Sequence, residues 1–375
     1  MESILTQLTR QDTWEEFLAY RLMKGRFNWH EFHEADSYVE REAYLPLARK
    51  ILQGEGLGIP QKKNVNKMGT GKKRVVYSFA PEEMTVLKLI AFKLYDYDGW
   101  FAPNCYAFRR GMKASDAVFD IIRAIGEQEM WAYKLDIHDY FNSISTDILL
   151  PILAEMMADD LPLYGFFEKM LTEKGAIYNG ETIHEDHGVM AGTPTSPFLA
   201  NVYLKAVDKY FHDANVTYAR YSDDIIIFAP DREMLCEHKS RMAEFLKEYR
   251  LEMNPDKERI YSPDEAYEFL GFKCHAHDID ISEATKRKMK GKIRRATKRL
   301  MRWSNKKNME PEKAMKGLIN HTDGLKEIDH YLQQNIRFLS TGKHNKTNYK
   351  TDYDKLKRLG YKSLVNEFYK YKNIK

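Results

Sequence analysis

Two adjacent carboxylates, Asp223 and Asp224, stand in the segment Tyr218-Ala219-Arg220-Tyr221-Ser222-Asp223-Asp224-Ile225-Ile226-Ile227-Phe228-Ala229. Aromatic and β-branched residues on both sides of Ser222-Asp223-Asp224 predict a β-hairpin with acid at its tip. Folding alone gives no reason for two like charges at such a bend, because neighbouring carboxylates repel unless a cation lies between them. One reading is a solvated acidic turn. The other is a site for Mg²⁺-dependent phosphoryl transfer, since hard divalent cations take oxygen ligands and a metal pair clamps the attacking and leaving oxygens. The Asp-Asp pair by itself does not choose between them.

The surrounding segments do. Upstream, Tyr133-Lys134-Leu135-Asp136-Ile137-His138-Asp139-Tyr140-Phe141-Asn142-Ser143-Ile144 puts Asp136 at the end of a short apolar strand, before a turn into a helix. Asp136 can then lie beside the hairpin as a third carboxylate. Between the two, Gly188-Val189-Met190-Ala191-Gly192-Thr193-Pro194-Thr195-Ser196-Pro197 leads into the apolar run from Phe198 to Leu204. Its glycines and prolines punctuate a loop that opens a helix. Downstream, Leu251-Glu252-Met253-Asn254-Pro255-Asp256-Lys257 precedes Tyr267-Glu268-Phe269-Leu270-Gly271-Phe272.

In this order the segments resemble the palm of reverse transcriptases over about residues 60 to 275. The resemblance is to the bacterial enzymes related to group II introns, retrons and the short defence-associated or abortive-infection reverse transcriptases. Gly71-Lys72-Lys73-Arg74-Val75-Val76 is similar to the first fingers motif and Tyr106-Ala107-Phe108-Arg109-Arg110-Gly111 to the second. Asp136 matches the first catalytic motif, Gly192 to Pro197 the template-packing motif, and Tyr221 to Asp224 the catalytic hairpin. Lys257 matches the lysine motif that follows, and Phe269-Leu270-Gly271-Phe272 the primer grip. Motif order is itself a test, which makes the likeness specific.

The resemblance implies an α+β right-hand polymerase. An N-terminal helical extension covers 1–60, fingers and palm with an antiparallel sheet packed on helices cover 61–277, and a basic helical thumb and C-terminal region cover 278–375. It implies an RNA-directed DNA polymerase using two Mg²⁺ ions, with Mn²⁺ as a substitute, held by Asp136, Asp223 and Asp224 with Ile137 beside them. Lys72, Lys73 and Arg74 are then placed to grip the triphosphate, with Arg109 in support, because cationic clamps act where charge accumulates. Which of Lys72 and Lys73 points inward is left open. Lys257 is implied near the pyrophosphate as a proton donor; read alone it is a surface lysine after a turn. Phe141, five positions after Asp136, is expected to pack under the sugar and exclude a 2′-hydroxyl. It also reads as a core phenylalanine beneath the palm, and both can hold.

Gly192 is assigned to the nucleotide site, where a residue without a Cβ lets the backbone approach a base pair closely. Related enzymes often carry Pro-Gln before this glycine, whereas here Met190-Ala191 precede it. Ala191 supplies no side-chain amide to the template–primer, which opens template-independent nucleotidyl transfer as an alternative. A non-enzymatic RNA-binding or intron-splicing factor is a second alternative. The intact set of Asp136, Asp223, Asp224 and Lys257 speaks against it.

Charge along the chain agrees with a nucleic-acid partner. Residues 281–375 hold 26 Lys+Arg against 9 Asp+Glu, and the other 280 residues hold 33 against 46. An acidic body with a basic C-terminal part suits metal in the one and a polyanion on the other. Met289, Ile293, Ala296, Leu300 and Trp303 recur at helical spacing. That predicts a helix over 284–303 with Lys288, Lys292, Arg295 and Arg299 on its outer face, facing phosphates. A further helical region is expected over about 311–337, followed by a Tyr/Lys-rich stretch over 349–371.

Near the N-terminus, helical patterning over 12–53 places Trp14, Phe17, Leu18 and Leu22 on one stripe, before a Gly-rich loop at 54–58. Helices are also expected over 82–97 and 113–126. With 375 residues and 43% hydrophobic content the chain can bury a sizeable core. Three cysteines without paired spacing indicate neither a disulfide framework nor a zinc knuckle, and Cys274-His275-Ala276-His277 lacks a fourth ligand. No signal sequence, membrane-spanning run or lipidation signal is visible, so a cytoplasmic protein without membrane association is expected. About a hundred residues follow the primer-grip segment, room for a thumb but not for an added nuclease or integrase domain. The expected partners are an RNA template, a DNA or RNA primer and dNTPs. By family analogy the template is a dedicated non-coding RNA, the role is anti-phage defence, and a homo-oligomer or accessory protein can join.

Overall fold

Runs such as Ile225-Ile226-Ile227-Phe228 combine β-branched and aromatic side chains, which suit a pleated surface covered on both sides. In a computed structural model describing residues 2–23, 29–66, 73–275, 278–307 and 362–363, this run lies in the palm sheet. In chain order the strands among the described residues are β1 (Gln61–Asn66), β2 (Lys73–Ser78), β3 (Trp131–Asp136), β4 (Gly175–Tyr178), β5 (Glu181–His184), β6 (Tyr218–Tyr221), β7 (Asp224–Ala229), β8 (Arg259–Tyr261), β9 (Tyr267–Phe269), β10 (Phe272–His275) and β11 (Asp278–Ile281). The chain divides into two compact units, Met1–Pro263 and Asp264–Lys375.

In the first unit the palm sheet has the order β6-β7-β3-β8, with every pair antiparallel. Its central strands are buried almost throughout. Helix Arg232–Glu248 packs on β7 and β3, and helix Ala114–Ile125 on β6. A second sheet, β2-β1-β4-β5, forms the fingers; β1 meets β4 in parallel at Gln61 and Ile177, and its other pairs are antiparallel.

The N-terminal helices include Gln11–Met23, Trp29–Glu40 and Leu45–Leu52. Trp14, Phe17 and Leu18 are buried, with the Trp14 ring stacked 4.7 Å from Tyr44 and its indole N–H donating to Leu8 O at 2.8 Å. Leu22 departs from the expected stripe and is 47% exposed. The helix expected over 82–97 spans Pro81–Lys93 and tightens into a 3₁₀ segment, Leu94–Trp100. Such tighter turns commonly end α-helices, and at three residues per turn this one buries Leu94 and Tyr97.

The second unit contains the sheet β11-β10-β9 and helix Glu283–Lys307. Phe269 pairs with Phe272, leaving Leu270 (φ 50°) and Gly271 (φ 85°) as a two-residue turn with both residues left-handed. A Cβ on Gly271 would stand 2.6 Å from Thr285 Oγ1. Along the helix Ile293 is buried, while Lys288, Lys292 and Arg295 are exposed. The side chain of Arg299 and the regions 311–337 and 349–371, residues 362–363 apart, lie outside the described residues. Among the described residues no helix is long and apolar enough to cross a membrane.

Candidate active site

Strand pairing assembles the carboxylates. In the β3–β7 register Asp136 lies directly opposite Asp224, which puts both side chains on one face. Tyr221 pairs with Asp224, so Ser222 and Asp223 form a two-residue hairpin turn. Ser222 has φ 64°, the left-handed first position of a II′-like turn that glycine usually takes. The turn is tied down by Ile137 N–H donating to Asp223 O at 3.1 Å. One carboxylate oxygen from each of Asp136, Asp223 and Asp224 lies within 4.8 Å of the others.

The cost of this clustering shows in the acids. Burial, reinforced by the charge of Asp136, raises the Asp223 carboxyl above the ordinary range. Burial lifts Asp224 to about 6, against the partial relief of Lys134. The Lys134 ammonium lies 3.8 Å from Asp224 Oδ1. Lys257 donates to the carboxylate of Asp136, itself only 3% exposed. Burial works against the Lys257 charge, but that hydrogen bond and the neighbouring carboxylates outweigh it and raise its pKa.

The donor set is oxygen-only and carries three carboxylates against two ammonium groups, which fits hard divalent cations such as Mg²⁺ or Mn²⁺. Asp136, Asp223 and Asp224 would hold them. Ile137 can add only its main-chain oxygen, since its side chain is apolar and 1% exposed.

The raised pKa of Asp224 ties the stability of the fold to pH. The metal-free fold holds this proton more tightly than the unfolded chain, so its contribution is complete below the unfolded value of 3.8 and is lost as pH rises through about 6. A bound divalent cation offsets the burial of the Asp224 charge that chiefly causes the loss, together with the lesser repulsion from Asp223 and Asp136. Thermal unfolding should therefore show little stabilisation by Mg²⁺ at about pH 5 and several degrees above pH 7. An equal shift at both pH values would rule out these carboxylates as the binding group.

Asn254, which the sequence reading passed over, joins Lys257 to this cluster. Its N–H donates to Asp136 O at 2.8 Å and its Oδ1 accepts from Asp256 N at 3.2 Å, capping the 3₁₀ turn Pro255–Lys257. The Asn-Pro dipeptide was the available signal, because it marks turn initiation.

Phe141 is half-buried and packed against the core. Its ring meets Phe108 edge-on at 6.1 Å, and Phe108 lies 6.4 Å from Tyr221 of the hairpin. The loop carrying Gly192 is seated against two neighbours. Val189 N–H donates to Phe141 O at 2.9 Å, and Tyr77 N–H of β2 donates to Ala191 O at 2.8 Å. Gly192 has φ 106°, and a Cβ there would stand 2.9 Å from Tyr77 O. Its lack of a side chain is thus required by the fingers strand.

The cationic positions are more scattered. Lys73 and Arg74 are exposed at the start of β2, and Lys72 lies outside the described residues. Arg109 turns back on its own loop, donating to Ala102 O, Cys105 O and Asp98 O at 2.9, 3.0 and 3.1 Å. Lys288, Lys292 and Arg295 belong to the second unit.

Behind the hairpin runs a buried network absent from the sequence reading. Arg220 and Asp208 are both fully buried and joined by two hydrogen bonds, at 2.8 and 2.5 Å. Tyr218 Oη also donates to Asp208, at 2.9 Å. Arg220 donates further to Asn201 Oδ1 at 3.3 Å, to Cys105 Sγ at 3.2 Å and to Ser222 O in the turn at 3.4 Å. One guanidinium thus links the hairpin to the helices and loop behind it.

Comparison with known proteins agrees with this geometry. The family model described as reverse transcriptase (RNA-dependent DNA polymerase) matches residues 60–274. The chain belongs to that family. It is 24% identical over 122 residues to the retron Ec83 reverse transcriptase of Escherichia coli, a match spanning 30% of this chain and 36% of the relative. Among solved structures, a Candida albicans telomerase in complex with a TWJ fragment of telomeric RNA matches at TM-score 0.50 and 11% identity, covering 86% of this chain and 68% of that one. Apo telomerase from Candida tropicalis matches at TM-score 0.50 and 11% identity, covering 76% and 57%. At such identity the likeness concerns the fold, an α+β right-hand polymerase.

Proposed function

We propose that the protein is an RNA-directed DNA polymerase that extends a DNA or RNA primer with dNTPs. The observation that carries this reading is the register that sets Asp136 opposite Asp224 with Asp223 at the adjoining turn. Two Mg²⁺ ions bound there would activate the primer 3′-hydroxyl and offset charge on the triphosphate. Around them the chain supplies Lys257 as a proton donor toward the leaving group and Lys72, Lys73 and Arg74 as a triphosphate clamp, with Arg109 in support only by holding its own loop through three carbonyl bonds. Phe141 serves as the wall against a ribose, beside Gly192. Lys288, Lys292, Arg295 and Arg299 track phosphates from the basic helix. The domain assignment goes with it: an extension over 1–60, fingers and palm over 61–277, and thumb over 278–375. On family analogy alone, we extend the proposal to a dedicated non-coding RNA template, anti-phage defence and a cytoplasmic location.

Template-independent nucleotidyl transfer is the second reading, favoured by Ala191. Its N–H bonds Asn142 Oδ1 at 3.2 Å and its carbonyl accepts from Tyr77, so its main chain is committed within the protein. Primer extension with and without template RNA separates the two. We expect products only with template, ending at its 5′ end and requiring dNTPs. Equal extension without template would replace copying by terminal transfer, and RNA binding with no extension would leave a binding factor.

A further inference from the structure

Phe108 combines three features that ordinary packing does not require. It is 38% exposed, its backbone is left-handed at φ 61°, and its ring lies against Phe141 and Tyr221. Single exposed aromatics are common on protein surfaces. A bulky residue with positive φ is not, and such strain persists only where the surroundings impose it.

Here they do so from both sides. Ala107 O accepts from Asn201 Nδ2 at 2.7 Å, and Arg109 is fixed by its three carbonyl partners. Just before them, Tyr106 N–H donates to Arg220 O at 2.9 Å and Arg220 N–H to Asn104 O at 3.0 Å, pairing the loop with the hairpin strand β6. The Phe108 ring is therefore presented from a backbone that cannot easily relax.

The ring it touches is half-buried against the core. The main chain of Phe141 is held at its carbonyl by Val189 N–H, and a Cβ on Gly188 would come within 2.4 Å of that same oxygen. Its ring is half-buried and meets Tyr140 at 5.8 Å on one side and Phe108 at 6.1 Å, with planes 67° apart, on the other. Edge-to-face contact of this kind fixes ring orientation as well as adding attraction.

Selectivity against one hydroxyl makes such fixing matter. An apolar wall rejects a ligand carrying an added hydroxyl only about a hundredfold. Stronger exclusion of a ribose needs a ring that cannot swing aside. We infer that Phe108 is a positioning residue for sugar selection, locking Phe141 in the orientation that excludes a 2′-hydroxyl. This rests on the proposal that Phe141 faces the nucleotide sugar.

The test is the ratio of kcat/KM for dGTP over GTP on oligo(dG)-primed poly(rC), measured for wild type, Phe108→Gly, Phe141→Ala and the double variant. Phe108→Gly should lower the ratio about tenfold, mainly through faster use of GTP, with Tm unchanged or raised because glycine accepts the left-handed backbone. Phe108→Asn, which also tolerates that conformation, should repeat the change, whereas Phe108→Tyr should keep the wild-type ratio. The double variant should match Phe141→Ala alone, since one residue acts through the other. An unchanged ratio in Phe108→Gly and Phe108→Asn, while Phe141→Ala lowers it, would overturn the inference and leave Phe141 in place. Fully additive effects would overturn it too. An unchanged ratio in Phe141→Ala would overturn the sugar-facing placement and the inference with it.

Discussion

Asp223→Asn should reduce primer extension by about a thousandfold or more while the protein stays folded. A bound metal is worth several kcal/mol in the transition state, and each 1.36 kcal/mol is tenfold in rate. Asparagine keeps the shape of the side chain and leaves the turn's main-chain bond from Ile137 N–H to Asp223 O intact. Stability in metal-free buffer should not fall. The Asp223 carboxyl is held above its ordinary range by burial and then by Asp136, so removing its charge relieves a repulsion. RNA binding should persist, because the cationic run lies in helix Glu283–Lys307. Three measurements check this: single-turnover extension, Tm with and without Mg²⁺, and RNA binding. Extension within tenfold of wild type by a cleanly folded variant would sink the assignment of Asp223 as a metal ligand.

What could be read from the sequence was mostly what neighbours in sequence decide. The Tyr221–Asp224 hairpin, the strand end at Asp136 and the loop opening at Gly192 each carry turn or period signals within a few residues, and each lies where expected. Partners far apart in sequence left no such signal. Asp208, in the helix Lys205–Asp213 between lysines at 205 and 209, carries no local sign of burial, yet it is fully buried. Arg220, a charged residue in a strand, is likewise enclosed. Only the packing of helix Lys205–Asp213 behind β6 brings the two together. Arg109 shows the converse: its motif suggested a ligand contact, whereas the structure shows its guanidinium on main-chain carbonyls of its own loop.

The Arg220–Asp208 pair carries the other large expected effect. Arg220→Met leaves the Asp208 carboxylate fully buried with Tyr218 Oη and no cation, and breaking a buried pair in this way costs about 3–5 kcal/mol. Against a total stability of about 5–15 kcal/mol, that is enough to leave the variant marginal in urea denaturation. Replacing both partners, Asp208→Leu with Arg220→Met, removes the stranded charge and should return most of the lost stability, since apolar residues of similar volume often substitute for buried ion pairs without loss. Polymerisation should not return with it. The donors to Ser222 O, Asn201 Oδ1 and Cys105 Sγ are gone in both variants, and the left-handed turn that carries Asp223 loses its tie to the structure behind it. A single substitution costing under about 1 kcal/mol would mean that the pair is not desolvated as described. Full activity in the stable double variant would mean that strand pairing alone holds the carboxylates in place.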